Sequence, residues 1–114
     1  MNTLDFTQEE MERASELLRS VAHNLRLNII SLLDEKGEIN VNIIYTSLKL
    51  EQSITSQHLK VLRDSGVVNT RRDGKMIYYS LNYDKIKAVQ EAVSKFDVLS
   101  KERLRNKKRL AESK

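Results

Sequence analysis

Between Ser53 and Gly66 the chain reads SITSQHLKVLRDSG, and on a helix this spacing sorts polar from apolar residues. Ser53, Ser56, Gln57 and Lys60 fall on one side; Thr55, Leu59, Leu62 and Gly66 fall on another. The polar set has the chemistry of base and phosphate recognition. A glutamine amide can bond bidentately to adenine, serine hydroxyls reach base edges or phosphate, and lysine reaches guanine or phosphate. Gln52 lies near the start of the same helix, where backbone N–H groups can hold a phosphate. Arg63 either reaches a phosphate or pairs with Asp64 or Glu51. On an arbitrary helix such a face is only a solvated surface, so its neighbours decide.

After Gly66 the periodicity changes. The stretch VVNTRRDGKMIYYSLN centres on Asp73-Gly74, and Asp-Gly between two strand-like runs is a strong hairpin signal. A turn centred there pairs Arg72 with Lys75, Thr70 with Ile77 and Val68 with Tyr79. Arg71, Arg72 and Lys75 then surround a basic tip. Charged tips commonly do no more than keep a sheet edge wet. Beside a polar helix face, three cations fit phosphate or minor-groove contact better. They would give affinity and salt dependence rather than sequence choice. Tyr78 and Tyr79 are adjacent in a strand and point to opposite faces, so they cannot form one stacking platform. Tyr79 is expected in the core.

The elements that must position these residues are legible upstream. In FTQEEM, Thr7 can cap a first helix with Glu10 three residues on, and Phe6 and Met11 occupy the positions of a hydrophobic staple. Asn24 is expected to cap a second helix with Leu27, Ile30 and Leu33 inward, ended by Gly37. Asn40 is expected to cap a short third helix through VNIIYTSLK, and LEQS is a brief turn into the fourth. From Asp84 a last helix runs to residue 105 or beyond. The reading is mainly α with a small β-hairpin: three helices, a turn into a fourth, a hairpin and a long final helix, which is a winged helix-turn-helix order. Residues 1–105 make one domain, and the basic tail 106–114 is expected to fray.

Two features point to self-association. Ile86, Val89, Val93 and Phe96 form a narrow apolar stripe on the last helix, and Met11 and Leu18 of the first helix join it as an expected dimer seam. Charge is also unevenly placed. Residues 1–25 hold five acids and two bases, a balance of −3, and residues 100–114 hold seven bases and two acids, a balance of +5. Such asymmetry suits nucleic-acid contact or the pairing of one end with the other in a dimer. His58 is expected as a half-buried residue that orients the fourth helix through a hydrogen bond. His23 is expected to be structural, at the junction of the first two helices.

Composition excludes much else. The 114 residues carry no cysteine and two histidines, which removes disulfides, thiol redox chemistry and any imidazole-rich site within one chain. No catalytic constellation, phosphate loop or cofactor motif appears, so a non-enzyme without a cofactor is expected. No apolar run approaches the ~20 residues that span a bilayer, and MNTLDFTQEEMERAS lacks the apolar core of a signal peptide. A cytoplasmic protein with no membrane partner is expected.

Three stretches also carry a resemblance. LLRSVAHNLRLNIISLL, LEQSITSQHLKVLRDSGVVNTRRDGKMIYYSLN and the flanking helices resemble the ArsR-type (ArsR/SmtB) winged-helix transcriptional regulators. The resemblance covers roughly residues 12–96. It is densest in S-x-x-S-x-H-L-K-V-L-R-x-S-G-V-V from Ser53 and in R-R-x-G-K-x-x-Y-Y-S-L from Arg71. It implies a homodimer held by the first and last helices, a fourth helix in the major groove of double-stranded DNA, and wings along the flanking backbone. Many members are repressors released by a metal ion or by thiol chemistry. Metal-sensing members carry two cysteines at the start of helix three, where Asn40 and Asn42 stand here. Asparagine is a poor ligand for thiophilic ions. A second family site, of carboxylates and histidines on the last helix, falls near Tyr83, Lys85, Phe96 and Leu99, none a suitable ligand. Ile43, Tyr45 and Lys49 depart from the polar, alanine and glycine residues usual around helix three, which bears on the angle of helix four. The expected partners are DNA and a second copy, with a small-molecule inducer of unknown identity. The alternatives are a winged-helix module that binds protein, and a regulator with an oxygen-ligand metal site drawn from Asp84, Glu91 and Asp97.

Overall fold

The computed structural model describes residues 7–112. Phe6 of the expected staple and the side chain of Leu99 lie outside the described residues. Helix α1 (Gln8–Val21) begins at Thr7, whose hydroxyl accepts the Glu10 N–H at 3.1 Å. Helix α2 (Asn24–Lys36) corrects two expectations. Its cap is His23 rather than Asn24, with Nδ1 accepting the Leu25 N–H at 3.1 Å. Of the expected inward residues, Leu33 is buried and Ile30 packs half-buried against the core, but Leu27 is 49% exposed, and Ile29 and Leu32 complete the buried face. The segment NLRLNIISLL is apolar around most of its circumference, so spacing alone could not fix the whole buried face.

A two-residue strand β1 (Ile39–Asn40) follows Gly37 and leads directly into α3 (Val41–Ser47). The side chain of Asn40 caps α3 by accepting the Ile43 N–H at 3.0 Å. Helix α3 ends in a Schellman turn: the Lys49 N–H donates to the Thr46 carbonyl at 3.3 Å, and the Leu50 N–H to Tyr45 at 2.9 Å. The left-handed residue of that turn is Lys49, at φ +55°. Helix α4 (Gln52–Asp64) ends in the same motif, with Gly66 N–H on Arg63, Val67 N–H on Leu62, and Gly66 itself at φ +79°. One turn thus uses glycine, and the other holds a lysine in a conformation that L-residues rarely adopt.

Strands β2 (Val68–Asp73) and β3 (Met76–Leu81) form the hairpin, and β1 pairs with the outer side of β3 to give sheet order β1-β3-β2. The register differs from expectation. Arg72 opposes Ile77, Thr70 opposes Tyr79 and Val68 opposes Leu81, so the turn is Gly74-Lys75 rather than Asp73-Gly74. Of the turn residues only Gly74 has positive φ, +62°. A turn with Gly first and an ordinary residue second suits type II′ geometry, whereas Asp-Gly at the centre would need positive φ at both.

Helix α5 (Tyr83–Glu112) has 30 residues, about 45 Å of helix, within a molecule 66 Å long. The segment 106–112, expected to fray, continues this helix; NKKRLAE is rich in good helix formers. α5 packs against α1. The fully buried centre is Ile29, Leu33, Ile44, Thr55, Leu59, Leu62 and Val67, drawn from α2, α3, α4 and the residue before β2. Thr55 is satisfied there by donating its hydroxyl to the Glu51 carbonyl at 3.0 Å.

Candidate nucleic-acid interface

The core fixes which face of α4 is free. With Thr55, Leu59 and Leu62 buried, Gln52, Ser53, Ser56, Gln57 and Lys60 are all exposed, and the expected separation of faces holds. Ile54 is also exposed, at 37%. Arg63 lies 3.9 Å from Asp64 with both side chains open to solvent, which leaves Arg63 loosely held.

The wing cations separate into two classes. Arg71 is engaged: its Nε and Nη2 donate to Glu38 Oε1 at 3.0 and 2.7 Å, and its guanidinium lies 4.6 Å over the Tyr78 ring. Asp73 is 3.9 Å away. The sheet explains this. Arg71 and Tyr78 are cross-strand partners, so they share a face, and β1 brings Glu38 to the far side of β3. The hydrogen bond from Arg71 holds the Glu38 carboxyl below its ordinary 4.5, against the opposing effect of burial, and Glu38 raises Arg71 in return. Arg72 and Lys75 are exposed and make no ion pair among the described residues. The shifted register leaves these two cations nearest the tip. Tyr79 is buried, as expected.

The expected seam residues are not equivalent. Ile86 and Val89 are half-buried against the chain's own core, because α5 starts directly beside β3. Val93 is 52% exposed. Met11 and Phe96, both half-buried, line a groove of about 510 Å³ with Leu17, Ala88 and Ala92, between α1, α5 and the end of α4. Leu18 is half-buried on α1.

Three of the positions matched to metal ligands have other contacts. Asn40 spends its side-chain oxygen on the α3 cap. The Tyr83 hydroxyl donates to Asp34 Oδ1 at 2.8 Å, a bond that raises its pKa. The Lys85 side chain lies over Gly66. Among the described residues no three His, Cys, Asp or Glu side chains converge, and Asp84, Glu91 and Asp97 form no cluster.

Residues 23–70, from the cap of α2 into β2, match the model of the bacterial regulatory protein, arsR family. The transcriptional activator HlyU of Vibrio cholerae is 38% identical over 87 residues, spanning 73% of this chain and 80% of that protein. The chain belongs to the arsR family. The transcriptional repressor PagR of Bacillus anthracis is 40% identical over 79 residues, covering 69% of this chain and 79% of its own. The PagR crystal structure superposes with a TM-score of 0.64 at 37% identity, over 76% of this chain and 99% of that one. NolR from Sinorhizobium fredii gives 0.67 at 34% identity, over 84% and 96%. The family fold is a helix-turn-helix DNA-binding fold, and the chain is a transcriptional regulator of that family; its relatives are regulators, not enzymes. Among the described residues no helix is long and apolar enough to cross a membrane.

Three residues that organise this interface had escaped the sequence reading. Glu38 gave no local signal. Arg26 donates to His58 across 32 residues of sequence, which periodicity cannot report. Asn82 had a usable signal: an asparagine between a strand and a helix is a natural N-cap. Its Oδ1 accepts the Lys85 N–H at 3.4 Å, and its Nδ2 donates to the Gly66 carbonyl at 3.1 Å.

Proposed function

We propose that this chain is a homodimeric, sequence-specific repressor without the family's two metal-sensing sites. Two α4 helices related by a two-fold axis would enter successive major grooves of a palindrome, with half-sites about 10 base pairs apart. Ser53, Gln57 and Lys60 are the base-reading candidates, with Gln52 and Ser56 at the margin. Arg72 and Lys75 are the wing's backbone contacts, and Arg71 braces the wing through Glu38 rather than reaching out. The observation that carries the reading is the pairing of an exposed polar face on α4 with two uncommitted cations on the adjoining wing.

The dimer rests on the exposed Val93, the half-buried Phe96 and Met11, and the length of α5. Repression, by occupancy of promoter DNA, follows the naming of PagR; HlyU is named an activator. With no thiol and no fitting metal ligands, release would come from a small molecule, a protein partner or expression level. The cytoplasm is the compartment this function requires.

The test is binding to tiled duplexes from the gene's own upstream region at two salt concentrations, with Gln57→Ala beside the unaltered chain. Salt-sensitive binding to one palindromic segment, weakened there by the substitution, is expected. Uniformly weak binding with no preferred segment would overturn the reading in favour of a protein-binding module.

A further inference from the structure

Where α1 hands over to α2, three side chains from two helices and their junction converge. Arg26 of α2 donates from Nε to His58 Nδ1 of α4 at 3.3 Å. Its Nη1 donates to the Arg19 and Ser20 carbonyls at the end of α1, at 3.2 and 3.1 Å. The rings of His23 and His58 lie 4.5 Å apart, tilted by 45°. His23 is meanwhile committed through its own Nδ1 to the Leu25 N–H.

The donors decide the protonation state. A guanidinium and a backbone amide only donate, so each Nδ1 must offer a lone pair. The His58 imidazole therefore carries its proton on Nε2 and is neutral in this arrangement. A second proton on His58 would remove the acceptor for Arg26 and place a cation against it. Arg26 of α2 and His23 of the junction both oppose a positive charge on His58. Among the described residues no carboxylate pairs with Arg26, His23 or His58. Burial first, then His23 and Arg26, hold His58 below its ordinary 6.5.

We propose that Arg26 and His58 are positioning residues that hold α4 on the α1–α2 corner, and that mild acid unlatches them by protonating His58. The folded chain keeps His58 neutral while the unfolded chain takes up a proton near 6.5. Stability is then full above that pH, falls as pH drops through it, and levels only below the folded value. The window is separate from that of Glu38, which lies below 4.5.

The test is thermal unfolding of the full chain from about pH 8 to about pH 5 at fixed ionic strength. The unaltered protein is compared with His58→Gln, whose carbonyl can still accept from Arg26 without titrating. The histidine ring resonances of the unaltered chain are titrated by NMR in parallel. The unaltered chain should lose melting temperature on acidification, His58→Gln should lose about half as much or less, and the His58 midpoint should fall below 6.5. Parallel losses in both proteins, or a His58 midpoint at or above 6.5, would overturn the proposal. The NMR arm needs no variant, so it decides the matter even if a substitution prevents folding.

Discussion

Replacing Lys49 with glycine should make the protein more stable, although it deletes a charged side chain from the turn that aims α4. Lys49 sits at φ +55° as the left-handed residue of a Schellman turn. Its side chain is exposed and makes no ion pair among the described residues, so its removal forfeits little packing. A left-handed conformation costs an L-residue about 1–2 kcal/mol because Cβ crowds the following carbonyl. Glycine escapes that cost but gives up about 0.5–1 kcal/mol more chain entropy on folding. The difference favours Lys49→Gly by roughly 0.5–1 kcal/mol, or about 3–5 °C in melting temperature for a chain of this size. Urea unfolding should show a higher midpoint with an unchanged slope. Lys49→Ala is the control, since it deletes the same charge and keeps Cβ; it should leave stability nearly unchanged. If glycine and alanine behave alike, or glycine destabilises, backbone strain at Lys49 is not what the turn stores.

Three further outcomes are expected. Leu59→Ala, at the fully buried centre, should cost about 2–5 kcal/mol in urea unfolding, whereas Ile54→Ala on the same helix should change little. Glu38→Gln should release Arg71. Because the folded Glu38 carboxyl is held low, its stabilising effect is present above 4.5 and lost as pH falls through the folded value, so the variant's acid-unfolding profile should lack that phase. In duplex-binding titrations, Arg72→Ala and Lys75→Ala should each weaken binding to all sequences and flatten the salt slope by about 1. Gln57→Ala should instead lose about 1–3 kcal/mol of discrimination at one base position.

How far these features were legible depended on whether the cause was local. The inward face of α4 was readable because Thr55, Leu59 and Leu62 alternate cleanly with polar residues. The Thr7 and Asn40 caps and the Gly66 ending each depend on one residue and its near neighbours. The buried face of α2 was only partly readable: Asn24, Asn28, Ser31 and Glu35 mark a narrow exposed stripe, but six apolar residues spread around the rest of the helix, and Leu27 beside that stripe is not buried. Strand β1 is two residues long, too short to show any period. Missing it concealed Glu38, and with it the reason Arg71 turns back onto the sheet. The hairpin was recognised but misregistered by two residues, because Asp-Gly was read as the turn itself when only Gly74 needed positive φ. Arg26 and His58 meet through tertiary packing alone, and no pattern along the chain announces such a meeting.

Asn82 is the only residue between the wing's last strand and the longest helix, and its side chain is pinned at both ends. Its backbone N–H also reaches the Val67 carbonyl at 2.9 Å, just beyond the end of α4. The wing, the long helix and the tail of α4 therefore meet at a single residue, so the joint that sets the direction of α5 is also the one that closes the end of α4.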